Sequence, residues 1–414
     1  MKLEENNQPS TKSKIWLPIL LCWLSYTIAY LGRYSYTSNI TSIMTYYSIG
    51  HAEAGLVSTC FFFAYGIGQF INAILCKYYN KRIAIAFSLL TSSIINLIFF
   101  FKVPFAFVKY LWFLNGIAQS ILWPTLISLL AENLKTEDIS KSVLAMSTTV
   151  PAGTIIIYGI SALATRLNGF IYVFLIAAIV TMTSAMVWFF LYNKAFTCSA
   201  QNLPSTQKTS AKSKINPILI AIIVELALFS IANNLVKDGL TTWLPSIFNE
   251  KFDVSESLSI LTTLVFPIFG LFAAAANAFL KKRINSFIFI SGIWYVIATV
   301  CMGMIIILAK TNAIIIVICF FGLVALSMYA VNNVVTNMAP LYMSEKIDSG
   351  LMAGILNGCC YIGSTISSYG LGSVADKFGW NGVFSLLFYI CLGAAVLAII
   401  IEVASFIKNK SHTR

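Results

Sequence analysis

Long apolar runs separated by short polar joints repeat along the whole chain. They fall at roughly 16–38, 53–76, 83–101, 107–131, 143–164, 170–192, 216–240, 256–280, 286–309, 312–337, 350–374 and 381–407, each near the ~20 residues that cross a bilayer. At that length in lipid, only a helix satisfies its own backbone hydrogen bonds. The pattern therefore predicts an all-α membrane protein with twelve transmembrane helices. The first run is too long and too poorly flanked for a cleavable signal peptide, so it reads as a retained helix. One longer polar stretch, 193–215, holds Ser, Thr, Gln, Pro and four lysines but no acid. It reads as a flexible cytoplasmic linker, dividing a six-helix half at 1–192 from a second at 216–414.

The halves also share sequence. Tyr158-Gly159-Ile160-Ser161-Ala162-Leu163-Ala164-Thr165-Arg166 parallels Tyr369-Gly370-Leu371-Gly372-Ser373-Val374-Ala375-Asp376-Lys377. Leu31, Arg33, Thr37, Ser42 and Ile43 fall likewise on Leu235, Lys237, Thr241, Ser246 and Ile247. Two six-helix halves related by an axis along the membrane normal resemble the major facilitator fold, whose binding site lies between the halves near mid-membrane.

Composition narrows the function. The chain is 58% hydrophobic and 10% charged, where a soluble domain carries about 25% charged residues; a soluble enzyme is excluded. The net charge of +12 could suggest a nucleic-acid partner, but its distribution does not. With the N-terminus inside, 19 of the 27 Lys and Arg fall in cytoplasmic segments and 6 in outer loops, leaving Arg33 and Lys237 within spans. That is the positive-inside asymmetry; it places both termini in the cytoplasm and the chain in the cytoplasmic membrane. The nine cysteines have no metal or haem spacing, His51 and His412 form no ligand cluster, and no nucleotide-binding motif is present. No cofactor or metal is expected, and the protein is expected to be a monomer.

An ionisable group within a span is costly and normally serves a function facing the interior. Arg33 and Lys237 are two of one sign, at matching places in the repeat. Helical spacing puts Tyr26, Tyr30 and Thr37 on the face of Arg33, and Ser230, Asn233, Asn234 and Thr241 on that of Lys237. Both cations stand in the outer half of their predicted helices, where each could instead snorkel outward. Asp238, about 100° around the helix from Lys237, is not an obvious partner for it. Further polar columns are Asn115, Gln119 and Trp123 on the fourth span, Tyr329, Asn333 and Asn337 on the tenth, and Asn357, Tyr361 and Thr365 on the eleventh. For each, a hydrogen bond between helices competes with a ligand contact. Glu225, about 18 Å along the helix from Lys237, is a candidate proton-coupling group.

These residues resemble the organophosphate:phosphate antiporters of the major facilitator superfamily. Tyr30-Leu31-Gly32-Arg33 looks like the family's first-helix Y-L-x-R. Asn115-Gly116 through Gln119 to Trp123-Pro124 looks like its fourth-helix N-G-x-x-Q-x-x-x-W-P. Lys237-Asp238-Gly239 with Trp243-Leu244-Pro245 resembles R-x-G-x-x-x-W-x-P on the seventh, and Gly358–Gly363 with Asp376–Gly382 resembles the eleventh helix and its outer loop. The resemblance implies that Arg33 and Lys237 bind a substrate phosphate. It also shows three departures. The second arginine is a lysine, the fifth-helix histidine column falls on Thr148, and the acid of the loop between the second and third helices falls on Lys77.

The expectation is a secondary transporter of a small organic anion, such as a sugar phosphate or glycerol phosphate, exchanged for inorganic phosphate by alternating access at one central site. Two bare cations would repel across the empty cavity, and a dianion would let the halves close. A proton-coupled carrier of another anion such as a carboxylate, and a non-transporting sensor of a sugar phosphate, are the alternatives.

Overall fold

The computed structural model describes residues 12–134, 138, 142, 145–196, 217–311, 313–343 and 349–412. Among these residues the chain is a helical bundle without strands. Ten helical segments are long and apolar enough to cross a membrane. One of them, Met352–Val403, is 52 residues long, or about 78 Å at ~1.5 Å per residue, against a hydrocarbon core of ~30 Å. Gly379, at φ 64° and ψ −177°, breaks it into two crossings. A side chain would oppose that backbone conformation. With Lys12–Thr37 as the first span, the crossings number twelve.

Span ends follow the hydropathy pattern closely, with three informative exceptions. The sixth helix, Tyr172–Phe196, runs into the stretch read as linker; 197–215 lie outside the described residues. The seventh helical run, Leu219–Lys251, extends well past its predicted end at 240. The first span is similarly prolonged. After a break at Ser38–Asn39 the chain re-enters a helix at Ile40–Tyr47. Irregular backbone at this depth needs internal partners. Ser38 Oγ donates to Tyr34 O at 2.7 Å, and Asn39 Nδ2 donates to Ser35 O at 2.8 Å and to Ser161 Oγ of the fifth span at 3.0 Å.

These extensions set the depth of the candidate cations. Arg33 and Lys237 each stand 14 residues before the end of their helical run (Tyr47 and Lys251), about 21 Å at ~1.5 Å rise. Both still stand just past the middle of their runs, but their side chains are turned into the bundle, Arg33 being 5% and Lys237 14% exposed, and neither reaches out to the surface.

Packing fixes the first span in place. Tyr36, Phe99, Trp112 and Phe174 are buried together from the first, third, fourth and sixth spans, with ring centroids 4.0–6.4 Å apart. Large apolar side chains cover much of the outside, Phe190 and Ile315 each being 75% exposed. In water such a surface would drive association; in lipid it is the ordinary boundary of an integral membrane protein.

Candidate functional site

The centre of the bundle is built around Arg33. Its side chain is only 5% exposed. Nε donates to Gln119 Oε1 at 3.1 Å, and the guanidinium lies 4.3 Å from the Tyr65 ring centroid, 4.6 Å from that of Tyr30 and 5.1 Å from that of Phe61. Each such stacking contributes about 0.5–2 kcal/mol. That offsets only part of the several kcal/mol that taking an ion out of water costs. No described carboxylate pairs with Arg33, and its Nη2 has no hydrogen-bond partner among the described residues. A small cavity beside it is lined by Tyr34, Thr37, Ser58, Phe61, Phe62 and Trp112.

The fourth-span amides hold this arginine up instead of facing a ligand. Gln119 Nε2 donates to Ala29 O, Ser92 Oγ and Asn115 Oδ1 at 2.9–3.3 Å, and Asn115 Nδ2 donates to Gly32 O at 3.1 Å. Both amides are fully buried. They fasten the first span and leave Gln119 Oε1 aimed at Arg33. Tyr26 lies between Tyr30 and Trp123, with ring centroids 5.4 and 5.0 Å away, and its hydroxyl meets that of Tyr65 at 3.3 Å. Thr148, in the histidine column, accepts a hydrogen bond from Trp23 Nε1 at 2.9 Å and donates to Ala145 O.

Lys237 is placed differently. Its Nζ is 3.4 Å from Asp238 Oδ1 and 5.6 Å from the Tyr329 ring centroid. The expectation that helix geometry separates the adjacent acid is overturned. The Cβ atoms do diverge, but the long lysine stem swings around the helix to reach the carboxylate. Asp238 Oδ2 also accepts from Ser364 Oγ of the eleventh span and from Asn234 Nδ2 at 3.2 Å. Mutual repulsion between two bare cations is therefore not the state of this site: Arg33 is unpaired and Lys237 is paired. Tyr30 lies within electrostatic reach of both cations, and Tyr361 within reach of both Arg33 and Asp238. Tyr361 packs on Tyr65 at 5.0 Å. Tyrosines therefore flank both charged groups, Tyr30 and Tyr65 at Arg33 and Tyr329 at Lys237.

The remaining candidates scatter. Asn233 is fully buried and donates to Asn234 Oδ1 at 3.0 Å. Asn333 accepts from Asn277 Nδ2 at 3.1 Å and so ties the tenth span to the eighth. Asn337 is exposed in a π-helical turn, Val334–Met338, away from this cluster along the tenth span. Glu225 is 2% exposed with both oxygens unpartnered among the described residues; the charge that acts on it is another carboxylate, Glu402.

Sequence reasoning missed Tyr65 and Phe61. Their signal was the spacing Phe61, Tyr65, Gln69 on the second span, which puts two aromatics and an amide on one face. Gln69 completes the face: its Nε2 donates to Tyr65 Oη and its Oε1 accepts from Asn357, both at 2.8 Å. Also missed was a cluster at the end of the bundle opposite Lys12, here the far end. His51 begins the second span, and its Nδ1 lies 2.6 Å from Asp376 Oδ1 and its Nε2 2.9 Å from Glu250 Oε2. Its ring packs on Trp243 and Trp380. Other hydrogen bonds joining the first six spans to the last six gather there too. Thr41 meets Ser246, Ser42 donates to Glu256, and Ser257 donates to Ala162 O.

Comparison with known proteins agrees with this architecture. Among solved structures, a bacterial homolog of the human lysosomal transporter Spinster, in an inward-facing and occupied conformation, superposes with a TM-score of 0.78 at 14% identity, over 95% of this chain and 98% of that one. A "Probable hexose phosphate transport protein" of Chlamydia pneumoniae is 20% identical across 100% of this chain and 96% of its own length. The membrane sensor protein UhpC of Escherichia coli (strain K12) is 29% identical over 101 residues, a match that spans 23% of that protein's length. The family description for the Major Facilitator Superfamily matches residues 22–347, most of the twelve-span bundle just described, and the chain belongs to that superfamily.

Proposed function

We propose that this protein is a membrane transporter for a small phosphate ester, of the sugar phosphate class, with its site between the halves 1–192 and 216–414. One observation carries the reading: a buried guanidinium, braced by Gln119 and three aromatic rings, with no counter-ion and one nitrogen without a partner among the described residues. A cation left this way in a membrane interior requires an anion to complete it. A planar guanidinium suits phosphate oxygens. The names of the relatives at similar length, hexose phosphate transport proteins in two Chlamydia species, agree with phosphate over carboxylate.

The proposed cycle alternates access by rocking the halves about the site. The far-end contacts support a conformation shut on that side, and the lysine-rich joints support a near end facing the cytoplasm across an inner membrane. Arg33 is already buried without a described counter-ion, so an anion that completes it stabilises the closed arrangement and the ligand-bound carrier closes more readily. Exchange for inorganic phosphate follows from that bias, in a carrier acting as a monomer.

The test is counterflow in proteoliposomes loaded with inorganic phosphate and supplied with external glucose 6-phosphate. Uptake by the native chain and its loss in Arg33→Ala are expected. Full uptake by Arg33→Ala would refute the role given to the guanidinium. Binding of glucose 6-phosphate without flux would replace the transporter by a sensor, the activity named for UhpC.

A further inference from the structure

Resting on the reading above, we infer that Asp238 sets the charge the site accepts, so that a doubly charged phosphate binds only together with one proton. The site holds two cations and one carboxylate: Arg33 and Lys237 against Asp238. Its formal charge is one positive. A singly charged headgroup neutralises it, whereas a dianion leaves one negative charge in excess within the bundle. At ~5 Å and an effective dielectric constant of ~20, one uncompensated unit charge costs on the order of 3 kcal/mol, about a hundredfold in affinity. A proton retained on the phosphate removes that excess.

The surroundings make Asp238 a built group and not a stray surface acid. It is held from three directions: Lys237 Nζ at 3.4 Å, Asn234 Nδ2 at 3.2 Å, and Ser364 Oγ from the neighbouring eleventh span. The other titratable groups in its field are Tyr34 of the first span, Tyr329 of the tenth, and Cys360 and Tyr361 of the eleventh. All are neutral donors or acceptors near neutral pH, so no second cation compensates the carboxylate. Asn234 donates to both Asp238 and Ser364, which fixes the carboxylate between the seventh and eleventh spans. Arg33 has no such resident anion, so a ligand engages it first. This assigns proton coupling to Asp238 and withdraws it from Glu225, which lies about 18 Å along the helix from Lys237.

The experiment is titration calorimetry of the purified full chain in detergent, between pH 6 and 8.5, with methyl phosphate and dimethyl phosphate. Methyl phosphate passes from one charge to two as its second proton leaves near pH ~6; dimethyl phosphate stays singly charged. The native chain should bind methyl phosphate with affinity that falls about tenfold per pH unit above that point, and dimethyl phosphate with no such slope. In Asp238→Asn, isosteric and still able to meet Ser364, methyl phosphate affinity should become nearly flat between pH 7 and 8.5 and exceed the native value at pH 8.5 at least tenfold. Asp238→Glu should keep the native slope and guards against a merely structural effect. Equal methyl phosphate affinity at pH 6 and 8.5 in the native chain would overturn the inference, as would an unchanged slope in a folded Asp238→Asn. If the native chain binds glucose 6-phosphate in neither calorimetry nor counterflow, the phosphate reading itself fails and the inference falls with it.

Discussion

The far-end cluster offers a perturbation whose size follows from geometry. Both ring nitrogens of His51 face carboxylates, at 2.6 and 2.9 Å. Only the doubly protonated ring donates to both. Asp376 is held in addition by the backbone N–H groups of His51 and Ala52, at 3.0 and 2.8 Å, and Glu250 by Trp380 Nε1 at 3.0 Å. His51→Gln keeps these backbone and indole bonds but removes the charge between the two acids. A hydrogen bond to a charged group is worth about 1.5–3 kcal/mol when buried. Here the paired side chains are 20% and 33% exposed, so solvent screening reduces the pair to about 1–2 kcal/mol. The closed-to-open ratio of the far end should then fall on the order of tenfold. Spin labels at Lys102 and Asp253, both exposed on far-end loops, report that ratio as a distance distribution. The native chain should show its shortest distances at acid pH. The clamp is fully present while the ring is doubly protonated and is lost as rising pH removes the second proton, so the long-distance fraction should grow with pH. His51→Gln should show that fraction at every pH. A distribution in the native chain that ignores pH, and matches that of His51→Gln, would refute the clamp.

Two further substitutions probe the same logic. Gln119→Glu supplies Arg33 with a fixed counter-charge in place of the amide oxygen now 3.1 Å away; phosphate affinity by calorimetry should drop at least about tenfold, and unchanged affinity would remove Arg33 from the binding site. Gly372→Ala places a methyl 2.6 Å from His51 O and 2.8 Å from the Trp243 ring, an overpacking worth about 1–3 kcal/mol; the same spin-label distances should lengthen, and no change would show that the second and eleventh spans are not held in backbone contact there.

Twelve crossings and their order were readable because a membrane helix announces itself by apolar length alone. The depth of Arg33 and Lys237 was not. Ile40–Tyr47 and the run from Thr241 to Lys251 are polar enough to look like joints, yet they pack as helix against other spans and escape lipid. Asn115 and Gln119 were visible as a column, but periodicity does not say whether an amide meets a ligand or a backbone carbonyl; here Gly32 O and Ala29 O claim them. The pairing of Lys237 with Asp238 was hidden by the same arithmetic that usually helps. Angular spacing describes where Cβ atoms point, and a lysine headgroup four carbons further out is not bound by it. The His51 cluster joins residues 199 and 325 positions apart, a separation that no local pattern reports.

The seventh and eleventh spans tie the charged site to the far-end cluster as one body. Asp238 is bonded to Ser364, and one turn further along Trp243 Nε1 donates to Ser368 O at 3.0 Å. Gly363 lets the two backbones close on one another, since a Cβ there would lie 2.2 Å from Ile231 O. The same Trp243 ring packs 5.5 Å from His51, and Asp376, one partner of His51, lies on the helix that carries Ser364. A ligand that displaces Asp238 from Ser364 therefore loosens a bond between the two spans whose far ends hold the imidazole. The Asp238–Ser364 bond and the His51–Asp376 bond are both anchored on the eleventh span, about three turns apart. Contact alone does not establish coupling, but it identifies the eleventh span as the element whose two positions both events would bias. The arrangement differs from one in which two like charges drive the halves apart. Here Lys237 is already paired with Asp238.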